Sequence, residues 1–266
     1  MAEVLCGVLG HPVGHSRSPA IHNAAYAELG LDWRYVKLPV PPDLFEETVR
    51  GLPASGYRGA NVTIPHKVAA LALADVASEA ATAVGAANTL TFADGRIEAE
   101  NTDAGGLIDA IGRPVAGLRA LVLGAGGAGR AAAFALREAG AAEVAVWNRT
   151  PERAAALARD LGVEHSPAPA ASDLLVNATA VGLDPDTTEA DALEQLALTG
   201  IDPPPLVVDL VYRAGGITPV HAWAERAGGS VVGGLEVLVR QGARSFEMWT
   251  GRPAPLDTMR AAASEL

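Results

Sequence analysis

The chain has 266 residues, 49% hydrophobic and 19% charged, with 20 Lys+Arg against 31 Asp+Glu for a formal net charge of -11. That composition is too apolar for a disordered chain, charges such as Arg119 and Arg130 interrupt its apolar stretches so that no membrane span is expected, and its acidity argues against nucleic acid as a partner. Its one cysteine, Cys6, leaves no internal disulfide and no cysteine-based zinc site, and reads as a buried strand thiol.

Short β-type runs bounded by Gly, Pro or Asn alternate with alanine-rich helical stretches, the pattern of parallel βαβ units, so an α/β fold is expected. Glu3 without a basic leader, and an apolar run that stops at His11-Pro12, do not read as a signal peptide, so a cytoplasmic protein is expected. Strands are expected at 4–9, 33–38 and 59–62, then as a pair at 89–93 and 96–99 joined by the turn dipeptide Asp94-Gly95. The first helix should open at Ser18-Pro19, with Ser18 as N-cap and Pro19 at the first helical position, and Ile21, Ala25 and Leu29 recurring near the helical period. Pro65 should start another helix in the same way.

From Gly117 the pattern restarts as a strand at 118–123, a glycine-rich turn, a helix to about Ala139 and a strand at 143–147. Later strands are expected at 173–176, 206–210 and 230–232, followed by an amphipathic helix over 235–249 and a helical tail over 261–266. The expected division is an N-terminal α/β substrate-binding catalytic domain at 1–103, a Rossmann-type dinucleotide-binding domain at 104–234, and C-terminal helices at 235–266 packing back on the first. A cleft between the two domains, closing by a hinge, goes with that division.

Gly124-Ala125-Gly126-Gly127-Ala128-Gly129 fits G-x-G-x-x-G directly after an expected strand and opens a helix, so its backbone N–H groups and the helix dipole can hold a pyrophosphate. NAD-binding versions end the second strand with an acidic residue for the ribose hydroxyls; here the position reads Asn148-Arg149-Thr150, with Arg153 one turn on. Arg149 and Arg153 offer planar, permanently charged forks for a 2′-phosphate, which favours NADP(H); two solvated surface arginines are the plainer alternative. Thr150 looks like the cap of the helix that Pro151 begins.

Three constellations in the first domain sit where a strand meets a helix or turn. His15-Ser16-Arg17-Ser18-Pro19 places two hydroxyls at a helix N-terminus, suited to a small carboxylate, although Ser18 standing alone reads better as a cap. In Asn61-Val62-Thr63-Ile64-Pro65-His66-Lys67, alternation sends Asn61 and Thr63 to one side, and Lys67 falls in the first helical turn, where a cation opposes the dipole. Lys67 either points into water or serves the chemistry. Asn101-Thr102-Asp103-Ala104-Gly105-Gly106 leads into a further helix, with Asn88-Thr89 upstream; Asp103 either caps that helix or faces Lys67 as a proton-handling pair.

The ordered set of Ser16-Arg17-Ser18-Pro19, Asn61 through Lys67, Asn88-Thr89, Asn101-Thr102-Asp103, the glycine turn, Asn148-Arg149-Thr150, Asn177-Ala178-Thr179 and Gln241-Gly242-Ala243 resembles the shikimate dehydrogenases over nearly the whole chain. That family interconverts 3-dehydroshikimate and shikimate with NADP(H). The resemblance implies that Ser16 and Ser18 hold the substrate carboxylate, that Asn61, Thr63, Asn88, Asp103 and Gln241 bond its ring hydroxyls, and that Lys67 and Asp103 are the catalytic pair. It implies further that Tyr212 lies near the nicotinamide and the substrate carboxylate, that Thr179 belongs to the loop beneath the cofactor, and that Leu210 and Gly234 lie on the cofactor side. Departures gather there too: Gly234-Leu235-Glu236-Val237 stands where some members have Gly-Leu-Gly-Met, Ala214 where proline is usual, and Ala180 where serine is frequent.

The chemistry expected is hydride transfer to the C3 carbonyl while Lys67, oriented by Asp103, protonates the developing alkoxide, with no metal. His11 and His15 are separated by Pro12 and Gly14 and share no helical face, His66 has no chemical role, and Glu46-Glu47 is a solvated helix face. Two alternatives stay open: a quinate/shikimate dehydrogenase of broader specificity and a non-catalytic NADP-binding sensor. The partner expected is a small molecule, with the chain as monomer or homodimer.

Overall fold

The computed structural model describes residues 3–213 and 216–265; Ala214 and the last residue of the expected tail, Leu266, lie outside the described residues. The chain forms two units, one made of the residues up to Gly106 together with those from Leu238 onward, the other of Leu107–Val237.

The first unit is built on a mixed six-stranded sheet. Its strands are β1 (Val4–Gly10), β2 (Trp33–Pro39), β3 (Tyr57–Val62), β4 (Val76–Ala77), β5 (Thr89–Ala93) and β6 (Arg96–Glu100), arranged in the order β2-β1-β3-β5-β6-β4. β1 runs parallel to β2 and β3, whereas β5 is antiparallel to β3 and to β6. Asp94 and Gly95 both take positive φ, the backbone that a two-residue hairpin needs, and β6 alternates exposed Arg96 and Glu98 with buried Ile97 and Ala99.

Helices α1 (Ser18–Glu28), α2 (Phe45–Gly51), α3 (Lys67–Ala72), α4 (Glu79–Val84) and α5 (Thr102–Ile111) follow these strands. Cys6 and Val8 of β1 pack in one cluster with Tyr26, Phe246, Trp249 and Met259, while Leu9 packs in another with Phe45, Val49, Val62 and Leu90, as strand alternation requires. Cys6 is fully buried, and burial pushes its thiol up to about 12.

Two expected helix starts are corrected. Arg17 already has helical backbone angles and takes the cap position, so Ser18 is the first helical residue and not the cap. Thr63 accepts the His66 N–H at 2.9 Å, closing a turn that consumes Pro65 before α3 begins at Lys67.

The second unit has an all-parallel sheet of β7 (Arg119–Leu123), β8 (Glu143–Trp147), β9 (Glu164–His165), β10 (Leu174–Asn177), β11 (Leu206–Asp209) and β12 (Ser230–Gly233), ordered β12-β11-β10-β7-β8-β9. That is the doubly wound dinucleotide-binding order, with its reversal between β7 and β10. β10 and β11 are buried along their whole length, which is why they read as unbroken apolar runs up to a polar last residue. Around them run α6 (Gly127–Glu138), α7 (Pro151–Leu161), α8 (Glu189–Gln195) and α9 (Pro219–Arg226). The chain returns to the first unit within α10 (Gly234–Thr250) and ends in α11 (Leu256–Ser264), which starts five residues earlier than the expected tail and packs on α1. Among the described residues no helix is long and apolar enough to cross a membrane.

Candidate active site

In the first unit the polar side chains converge on Asp103. Asn101 Oδ1 accepts the Ala104 N–H at 3.1 Å and so performs the capping that sequence had left open for Asp103. Freed of that task, Asp103 accepts from Lys67 Nζ at 2.5 Å through Oδ2 and from Asn88 Nδ2 at 2.8 Å through Oδ1. Lys67 is the first residue of α3, where the helix dipole disfavours a cation, and the carboxylate offsets that cost. Both side chains keep partial access to solvent, 16% for Lys67 and 22% for Asp103, so a ligand could reach them.

Asn88 is the hub. Its Oδ1 accepts the Thr102 N–H at 2.7 Å, and its Nδ2 also reaches Thr102 Oγ1 at 3.0 Å and Gln241 Oε1 at 3.2 Å. Gln241 can come so close because Gly106 has no side chain: a Cβ there would lie 2.7 Å from the Gln241 backbone nitrogen. Lys67, Asn88, Asp103 and Gln241, widely separated in sequence, thus form one hydrogen-bonded group.

Ser16 and Ser18 sit at the start of α1, with Ser16 Oγ accepting the Ser18 N–H and lying 3.3 Å from Ser18 Oγ. Thr63 is half-buried just beyond β3. Asn61, by contrast, is 5% exposed and its amide is fully engaged: Oδ1 accepts from Tyr35 Oη at 2.7 Å, and Nδ2 donates to Thr89 Oγ1 at 3.0 Å and to the Asn88 carbonyl at 3.3 Å. His66 is buried with a ring nitrogen 2.7 Å from the Val40 carbonyl and its ring stacked on Phe45, a structural assignment.

In the second unit the glycine turn links β7 to α6. Gly124 has a φ of +108°, and a Cβ on it would meet the Ala178 carbonyl oxygen at 2.9 Å; a Cβ on Gly129 would strike the Gly124 carbonyl. Gly126 caps α6 without any side chain, so the helix N-terminus is bare backbone, with Gly127 and Ala128 in its first turn. This shape fits the pyrophosphate of a dinucleotide. Asn148 braces the turn: its Oδ1 accepts the Ala125 N–H at 3.2 Å while Nδ2 donates to the Thr150 carbonyl at 2.9 Å. Arg149, Thr150 and Arg153 are all exposed beyond β8, and although Thr150 holds the cap position of α7 its hydroxyl makes no cap bond.

Beside the turn, Asn177 Oδ1 accepts from the Thr179 hydroxyl at 2.7 Å and from its N–H at 3.2 Å. Asn177 Nδ2 in turn donates to Asp209 Oδ1 at 2.9 Å. Asp209 is fully buried at the end of β11 and also accepts from the Val211 N–H and the Thr218 hydroxyl; burial raises its carboxyl above the ordinary value. It thereby fixes Leu210 and the Thr179 loop. Tyr212 is half-buried in the segment after β11, and Gly234 is buried at the start of α10.

Sequence reasoning gave no individual role to Thr102 and did not single out Asp209 or Tyr35. A charge closing the apolar run Leu206-Val207-Val208 was the available signal for Asp209; Tyr35 gave none. Among the described residues no three His, Cys, Asp or Glu side chains gather as metal ligands.

Comparison with known proteins follows the same division. Residues 8–90 match the shikimate dehydrogenase substrate binding domain, 107–181 the family described as shikimate / quinate 5-dehydrogenase, and 234–263 the shikimate 5'-dehydrogenase C-terminal domain. The chain is 43% identical over 271 residues to a shikimate dehydrogenase (NADP(+)) of Methanothermobacter thermautotrophicus, covering 96% of this chain and 94% of the relative. It is 46% identical over 264 residues to one from Anaeromyxobacter dehalogenans, covering 94% and 92%. A crystal structure of shikimate 5-dehydrogenase from Thermus thermophilus in complex with NADP(H) and shikimate is similar at a TM-score of 0.86 and 43% identity, over 98% of each chain.

Proposed function

The chain belongs to the shikimate dehydrogenase family, and from that premise we propose how its own residues carry out the reaction. It is an NADP-dependent oxidoreductase that reversibly reduces 3-dehydroshikimate to shikimate. The observation that carries the residue assignment is the 2.5 Å Lys67–Asp103 contact, held from the other carboxylate oxygen by Asn88.

NADP(H), when bound, supplies or accepts the hydride at the substrate's C3. Backbone N–H groups of Gly126, Gly127 and Ala128 hold its pyrophosphate in the space left by Gly124 and Gly129, while Arg149, Arg153 and the Thr150 hydroxyl take the 2′-phosphate. Ala125 contributes through the shape of the turn, since its N–H is given to Asn148. Thr179, Leu210 and Gly234 line the nicotinamide side.

Ser16 and Ser18 receive the substrate carboxylate, and Thr63, Asn88 and Gln241 orient the ring hydroxyls. In reduction the Lys67 ammonium gives its proton to the oxygen at C3 as that oxygen gains charge, and Asp103 keeps the amine aimed; in oxidation the neutral amine takes the proton back. Asn61 acts from behind, because its amide has no free donor or acceptor for a ligand. The working form is a cytoplasmic monomer or homodimer acting on small molecules.

The test is absorbance at the reduced-nicotinamide band with purified protein, shikimate or quinate, and NADP⁺ or NAD⁺. Rapid reduction with shikimate and NADP⁺ alone is expected. Equal rates with NAD⁺ would remove the role of Arg149, equal rates with quinate would establish the broader dehydrogenase, and cofactor binding without any turnover would leave a sensor.

A further inference from the structure

We infer that Tyr35 is a positioning residue for the Lys67–Asp103 pair, acting through Asn61 and the Asn88-Thr89 segment. The inference rests on Lys67 and Asp103 being the proton-handling pair, and it concerns a side chain that lies outside the ligand-contacting set.

The hydrogen bonds link these side chains in series. Tyr35 Oη donates to Asn61 Oδ1 at 2.7 Å; Asn61 Nδ2 donates to Thr89 Oγ1 at 3.0 Å; the Thr89 hydroxyl lies 3.0 Å from Thr102 Oγ1 and 3.3 Å from Asn88 Oδ1; and Asn88 Nδ2 donates to Asp103 Oδ1 at 2.8 Å. The series ends on the carboxylate whose second oxygen holds Lys67. Because Asn61 also donates to the Asn88 carbonyl at 3.3 Å, it fixes the main chain of the hub residue as well as its neighbour's side chain.

Tyr35 is itself held with little freedom. Asn23 of α1 clamps its peptide groups, accepting the Tyr35 N–H at 2.8 Å and donating to the Tyr35 carbonyl at 3.0 Å. Its ring stacks on His22 with centroids 4.3 Å apart and planes 7° apart, and Trp249 lies 6.2 Å away. Burial drives the phenol well above its ordinary value, which keeps it a neutral donor at neutral pH. The other donor near Asn61 Oδ1 is weaker: Ser245 Oγ is 3.4 Å away and lies closer to the Gly242 carbonyl, at 3.0 Å. Loss of the phenol oxygen therefore takes from a buried amide acceptor its short hydrogen bond, and the readjustment of Asn61 is felt through Nδ2 at Thr89 and the Asn88 main chain.

The experiment compares kcat, the two KM values and the melting temperature for Tyr35→Phe, Tyr26→Phe, Asn61→Ala and the Tyr35→Phe/Asn61→Ala double variant. Lys67→Ala runs alongside. Tyr26 is a control, equally buried at 1% exposure, with a hydroxyl that makes no hydrogen bond to Asn61 or to any other nitrogen or oxygen. Tyr35→Phe should lower kcat about tenfold with KM for NADP⁺ unchanged, the loss expected of one buried hydrogen bond acting on the reacting pair. Tyr26→Phe should leave kcat unchanged, and Tyr35→Phe should add no further loss in the Asn61→Ala background.

Wild-type kcat in Tyr35→Phe, or full additivity in the double variant, overturns the inference. Should Tyr35→Phe not fold, Asn61→Ala decides alone, since an undiminished kcat there breaks the same link. If Lys67→Ala keeps full turnover, it is the catalytic pair that fails; if Lys67→Ala is inactive and Tyr35→Phe is not impaired, only the role of Tyr35 fails.

Discussion

On the residue roles proposed, the two units hold their ligands by opposite means. The substrate unit uses side chains that are already bonded to one another, Lys67 to Asp103, Asp103 to Asn88 and Asn88 to Gln241, so the reacting groups are oriented before anything binds. The cofactor unit uses missing side chains: a turn whose Gly124 and Gly129 leave room for phosphate, a helix start capped by Gly126, and arginines exposed beyond the second strand of its sheet. A network fails when any member shifts, whereas a backbone cradle fails only when something fills it. Catalysis in this chain should therefore be sensitive to small deletions in the substrate unit, and cofactor choice to single charges in the other.

The sharpest break of that contrast is Lys67→Ala. Turnover should fall by about 10²-fold or more while NADPH binding, measured by fluorescence titration, stays as in the parent, because proton transfer is lost and the cradle is untouched. A variant with parental turnover would show that the network is structural. Next in size is Arg149→Ala, which should weaken NADPH by about 10- to 100-fold, the cost of losing a charge-assisted contact to the 2′-phosphate, with NADH unaffected. Equal weakening of both dinucleotides would mean that the guanidinium does not read the phosphate.

A third prediction separates the units by acid. His22 is fully buried in the substrate unit, and burial brings its ring down to about 3, whereas His165 is exposed and His221 half-buried in the other unit. Between the ordinary value near 6.5 and about 3, the unfolded chain binds a proton that the folded chain refuses. The stability this ring confers is therefore whole above pH 6.5 and drains away as pH falls, by about 1.4 kcal/mol per unit. His22→Phe should flatten the fall in urea midpoint between pH 7 and pH 5; an identical fall in both proteins would assign the acid sensitivity elsewhere.

Legibility from sequence followed the same divide. Features set by local backbone rules could be read directly: the Asp94-Gly95 hairpin, the strand Glu143–Trp147, and the glycine turn opening α6. Features set by contacts distant in sequence could not. Ser18 and Pro65 carried correct helix-start chemistry, yet Arg17 wound the first helix one residue earlier and the Thr63 turn delayed the other. Asn61 matched a family pattern for substrate contact, and only the fold brought it the Tyr35 phenol, 26 positions away, that occupies its acceptor. For Asp103 two readings were balanced until Asn101 proved to be the cap.

The substrate unit is discontinuous along the chain, because α10 and α11 return to it after the whole of the second unit. Arg17 Nη1 donates to the Ala263 carbonyl at 2.6 Å, joining residues 246 positions apart beside the two serines. During synthesis the strands of the cofactor unit are therefore complete and able to pair while the first sheet still lacks Phe246, Trp249 and Met259 on one face. The ribosome must finish almost the entire chain before the loop proposed to bind the carboxylate has its support, so a protein halted late in translation would carry the glycine turn without a finished substrate unit.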